Sequence, residues 1–238
     1  MSTAASPSTA LHHRVAGAFA LAYVVLMMGG LVISGGGALI QEGTAGIESA
    51  YRDGNLTTIL GGWFVESVGL VLLIPAAVHL SRSLGRSTPV GRWAAHTGLH
   101  LAVVHVAITL AVGFPAGAAA AYGVQNGLDV DAAAALNSMR VFSYLLSLLC
   151  LGAYVACLAI SALTDGFSRW FVGVLGLVTG LALMAAPPLA ALSLHDLPTL
   201  LYLVWWVGLS VILLRGGPAK RRPVVEPTMA MDAELRQA

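Results

Sequence analysis

Four side chains could do polar chemistry from inside stretches that are otherwise apolar: Glu66, His100, His105 and Arg140. A carboxylate can accept hydrogen bonds or exchange a proton, an imidazole can relay protons or ligate a metal, and a guanidinium can hold an anion. Charged groups in hydrocarbon cost about 2.5–3.5 kcal/mol or more, so they usually face a bundle interior or a cavity. Folding the chain back through the loop 81–92 brings Glu66 opposite residues near 107 and His79 opposite residues near 94. Glu66 and His105 then share a depth, as do His79 and His96.

Helical geometry restricts this set. At about 100° per residue, His96 and His100 lie about 40° apart around the helix, but His100 and His105 about 140° apart. One partner cannot serve all three. The expectation is a candidate intramembrane polar site of Glu66, His100, His105 and Arg140, with a Glu66–His105 pair near mid-membrane and His100 facing another helix. Arg140 either snorkels outward or turns in towards Glu66. The same residues also fit a purely structural role, tying neighbouring helices together. A haem would need two imidazoles at one depth on different helices, which His79 and His96 would supply. A metal ion needs a tighter cluster. The reading therefore assigns no catalytic residue and no cofactor.

These residues need helices to carry them. Of 238 residues, 58% are hydrophobic and 10% charged, against roughly 25% charged in a soluble domain. Six apolar runs, 15–40, 57–80, 93–114, 140–163, 170–191 and 197–214, each approach the 17–25 or so residues that cross a bilayer as a helix. The expected fold is all-α, a polytopic bundle of six transmembrane helices over 15–214. A cytoplasmic arm, 1–14, precedes it and a disordered basic tail, 215–238, follows. The first run is too long for the core of a cleavable signal peptide.

A formal net charge of +1 offers no electrostatic footprint for nucleic acid. Basic residues instead segregate by loop. Arg14, Arg82, Arg86, Arg92, Arg169, Arg215, Lys220, Arg221 and Arg222 fall on one side, and only Arg52 and Arg140 on the other. The positive-inside rule then puts both termini in the cytoplasm. The cluster at 220–222 is expected to meet anionic lipid.

Several local features read as packing or punctuation. Cys150 and Cys157 are seven residues apart in one run, too far along a helix for a disulfide. They are expected to pack as small hydrophobes, and Trp205 with Trp206 as aromatic filling. Gly35-Gly36-Gly37 lacks the Lys-Ser/Thr of a phosphate loop and reads as a helix end. Gly176 and Gly180 permit close helix contact. Pro187-Pro188 either ends a helix at the interface or marks a cavity wall.

Two stretches carry a resemblance. His13-Arg14-Val15-Ala16-Gly17, opening a long first helix, and Phe167-Ser168-Arg169-Trp170-Phe171-Val172-Gly173-Val174-Leu175-Gly176 resemble an uncharacterised bacterial membrane family, domain of unknown function 4386. The resemblance covers the chain to about Leu214 and implies a six-helix unit in a bacterial plasma membrane. It brings no catalytic residues. The expected function is a non-enzymatic small-solute or accessory membrane component with a polar pocket between the second and third helices. The alternatives are a haem redox protein or the permease subunit of an ABC exporter.

Overall fold

The structure, a computed structural model, describes residues 7–38, 42–190, 192, 194 and 196–217. The expected tail, including Lys220, Arg221 and Arg222, lies almost wholly outside the described residues, as does the start of the arm. Among those described the chain is all-helical. It runs α1 (Pro7–Ser34), α2 (Gly43–Ile47), α3 (Leu56–Ser83), α4 (Pro89–Ile108), α5 (Phe114–Gln125), α6 (Val130–Asp165), α7 (Gly176–Met184), α8 (Ala186–Ala190) and α9 (Asp196–Leu214). Wider π turns occupy Glu48–Arg52, Thr109–Gly113 and Arg169–Leu175.

Local chemistry sets these boundaries. Gly35, Gly36 and Gly37 all take positive φ, a region that side-chain-bearing residues avoid, so α1 stops at Ser34 instead of reaching residue 40. Asn55 caps α3 by accepting from the Thr58 backbone. Thr88 caps α4 by accepting from Gly91, with Pro89 in the first turn where its missing N–H costs nothing. Gly166, at φ 69°, closes α6. The π turn at Thr109–Gly113 precedes Pro115, so the helix absorbs the proline by widening and continues from Pro89 to Gln125.

Among the described residues, five helices are long and apolar enough to cross a membrane: Ala10–Ser34, Leu56–Ser83, Pro89–Gln125, Val130–Asp165 and Asp196–Leu214. The expected fifth run, 170–191, is shorter as a helix. Arg169–Met184 is apolar but breaks at Ala185, and α8 restarts with Pro187 and Pro188 in its first turn, where their missing donors are tolerated.

Neighbouring segments run antiparallel. Gly30 and Gly62 let α1 and α3 touch backbone to backbone, since a Cβ on Gly62 would lie 2.6 Å from the Gly30 carbonyl. Gly152 and Gly180 do the same for α6 and α7, giving Gly180 the packing role expected of it. Lipid tails give helices no hydrophobic reason to associate, so such close van der Waals contact is a principal source of cohesion. α6 is the central helix, with 67% of its apolar stretch buried. Trp205 and Trp206 fill the space between α1, α7 and α9, donating to the carbonyls of Phe171 and Ala20 at 3.0 Å each.

This alternation gathers Arg14, Arg82, Arg86, Arg92, Arg169 and Arg215 at one end of the bundle, called here the basic end. At the basic end the Asp165 carboxylate ties α6 to the turn before α4, accepting from the Ser87 backbone at 3.0 Å and its hydroxyl at 2.6 Å. Glu42, Glu48, Asp53, Asp129, Asp131 and Asp196 lie at the other, acidic end.

Candidate functional site

Glu66 sits in α3 on the face that meets α1 and is 7% exposed. Gly30 lies opposite and leaves room for the carboxylate stem. The Ser34 hydroxyl, at the last residue of α1, donates to Glu66 Oε1 at 3.3 Å. Glu66 also lies within the electrostatic reach of Arg140. The two are not in a direct ion pair, and among the described residues the only one within 4.0 Å joins exposed Arg52 to Glu48.

Arg140 turns inward. Its Nε donates to Asn137 Oδ1 at 2.9 Å and one terminal nitrogen to the Ala38 carbonyl at 2.7 Å. The Asn137 amide donates to the same carbonyl at 3.1 Å, and the Tyr51 hydroxyl donates to Asn137 Oδ1 at 2.8 Å. The backbone leaving α1 is thus clamped from α6. Gly37 must be glycine for this, because a Cβ there would lie 2.9 Å from the Tyr51 hydroxyl and 3.3 Å from the Arg140 guanidinium carbon. Burial pushes the Tyr51 hydroxyl above its usual range, against the opposing charge of Arg140, so it remains a protonated donor at neutral pH.

Around this clamp Trp63 stacks on Phe114 at 6.5 Å and meets Tyr51 edge to face. Tyr144, one turn beyond Arg140, lies 3.4 Å from the Thr199 hydroxyl of α9 and within the electrostatic reach of Glu66, Arg140 and Asp196. A lateral groove of about 280 Å³ runs between α3 and α5, lined by apolar side chains and Ser67.

The expected Glu66–His105 pair is not brought together. α4 leans on α6, and His105 Nδ1 bonds the Ser147 carbonyl at 3.0 Å. His105 Nε2 is buried without a partner among the described residues. His100 is exposed on the outer surface of α4, its Nδ1 on the carbonyl of His96 at 2.9 Å. The polar neighbours of Glu66 therefore come from α1 and α6 instead of from α4. Depth matching through a hairpin fixes height but not azimuth, and the true neighbour of α3 along its length is α1.

His79 likewise pairs with α1. Its Nε2 lies 2.9 Å from His13 Nδ1, with the rings edge to face at 4.9 Å, and no porphyrin plane fits between rings in direct hydrogen-bond contact. His96 is exposed, so the His79–His96 pair that a haem would have needed does not form. Among the described residues no three His, Cys, Asp or Glu side chains gather to hold a metal. Cys150 and Cys157 are both free and buried.

Ser34, Tyr51, Asn137 and Tyr144 escaped the sequence reading because they are neutral. The available signal was spacing: Asn137, Arg140 and Tyr144 recur at three and four residues and so share one helix face. The chain matches no protein-family model, no curated protein and no solved structure.

Proposed function

We propose that this chain is a multi-pass membrane protein without enzymatic activity, a small-solute or accessory component whose polar pocket is built on Glu66 and Arg140. One observation carries the reading: a buried carboxylate and an inward-turned guanidinium, on different helices, share one region without closing an ion pair. Opposite charges held apart in a low-dielectric interior favour a polar guest that touches both. Ser34 and Tyr144 add hydroxyls at the same level.

The proposal takes Arg169–Met184 with α8 as a sixth crossing, as the two family-like stretches also imply. The basic end, with both termini, then faces the cytoplasm of a bacterial plasma membrane. The tail beyond residue 217 would supply contact with anionic lipid.

Mass spectrometry of small molecules that copurify with the full-length protein tests the pocket. A polar species retained by the wild type and lost from both Glu66→Gln and Arg140→Gln supports it. Identical extracts from all three folded proteins would overturn it.

A further inference from the structure

α4 presents a second polar feature, on its outer surface. His96 and His100 are both exposed and one turn apart, and with Trp93, Val103 and Ala107 they form a stripe spaced three, four, three and four residues along the helix. The opposite face of α4 packs on α6 through Gly91, Gly98 and His105. A three-four repeat keeps a seam on one side of a helix and is the spacing of left-handed helix pairs.

Lipid is a poor neighbour for this stripe. His100 lies eleven residues after Pro89, about 16 Å along the helix, which is well within a hydrocarbon core about 30 Å thick. Its Nδ1 is held by its own helix, which leaves Nε2 to be satisfied from outside the chain. Ionisable side chains at such depth almost always face protein or water. Other strongly exposed positions, such as Val32, Phe64 and Val204, are apolar and suit lipid.

We infer that this stripe is the contact surface of a homodimer in which α4 of one copy packs in parallel on α4 of a second. Two copies inserted with the same topology are related by an axis along the membrane normal, so each residue of the seam meets its own counterpart. Neutral imidazole suits that symmetry because one ring's acceptor can meet another ring's donor: His100 donates its Nδ1–H to its own helix, so its Nε2 accepts, and the ring N–H of His96 in the second copy, one turn away, can donate to it, with the same bond repeated across the axis. Two carboxylates or two guanidiniums cannot pair in this way. The chain already contains one such bond, between His13 and His79 on different helices. The inference is independent of the Glu66 pocket, since its test reads association and not solute retention.

Oxidative crosslinking of the full-length protein in native membranes tests it, with Cys150 and Cys157 replaced by alanine. Val103→Cys and Ala107→Cys should form disulfide-linked dimers, while Val32→Cys and Phe64→Cys should not. Adding His96→Leu and His100→Leu to Val103→Cys should weaken association about tenfold, with the thermal stability of the monomer retained as a check on folding. Equal crosslinking at all four positions, crosslinking unaffected by the leucines, linkage only to a different protein, or one copy per particle by photobleaching would each overturn the proposal.

Discussion

Replacing Asn137 by leucine isolates the clamp that fixes the backbone beyond α1. Three hydrogen bonds end on this side chain: from Tyr51 at 2.8 Å, from Arg140 at 2.9 Å and to the Ala38 carbonyl at 3.1 Å. Leucine preserves bulk, so the loss is mainly polar. Ala38 keeps its bond from Arg140, and Arg140 keeps Ala38, but the fully buried Tyr51 hydroxyl loses its acceptor. Each lost bond costs about 0.5–1.5 kcal/mol, and a stranded buried hydroxyl about 1–3 kcal/mol. Interhelical bonds measured in membranes average nearer 0.6 kcal/mol. Asn137→Leu should therefore destabilise by about 2–4 kcal/mol. Tyr51→Phe removes the hydroxyl along with its need for a partner and should cost only about 1 kcal/mol. The double variant should be more stable than the sum of the two by about 1–2 kcal/mol, because leucine no longer strands the Tyr51 hydroxyl. Reversible unfolding in mixed micelles measures all four proteins. Additivity within about 0.5 kcal/mol would refute the bond and, with it, the clamp.

Other consequences follow from single contacts. Glu66→Gln should fold and keep the Ser34 contact, whereas Glu66→Leu should lower the melting temperature by leaving the Ser34 hydroxyl and Arg140 without their acidic neighbour; a melting curve separates the two. Combining Glu66→Gln with His105→Ala should give additive stability changes within about 0.5 kcal/mol, since the two residues have different partners. Asp165→Ala should speed amide hydrogen exchange at Arg86 and Ser87, whose backbones it accepts from, while exchange in the core of α6 stays unchanged.

The long helices were legible because an apolar run of bilayer length has few other uses, and the helix end at Gly35 was legible because three consecutive glycines favour positive φ. Less visible was the widening at Thr109–Gly113, which lets the helix pass Pro115 with no change in hydropathy. The run 170–191 read as one span because hydropathy continues through Pro187, although the backbone breaks at Ala185. Glu66 was identifiable as an interior residue from the cost of exposing a carboxylate to lipid. Its neighbours were not, since they depend on which helix lies beside α3, and that is decided by the Gly30–Gly62 contact across the chain. The same non-local contact explains why His79 meets His13 and not His96. Tyr51 and Asn137 are neutral and carry no cost signal of their own, so only the fold reveals them.

The central claim is that Glu66 and Arg140 act as one polar site, and a double-mutant cycle of Glu66→Gln with Arg140→Gln tests it most directly. Stability is read by reversible unfolding at neutral pH, with Arg52→Gln as an exposed control outside the site. The account predicts a coupling of about 1 kcal/mol or more between Glu66 and Arg140, because each variant removes a polar group that the other feels in the buried interior, and none between Glu66 and Arg52. Additivity within about 0.5 kcal/mol for the Glu66–Arg140 pair would contradict it.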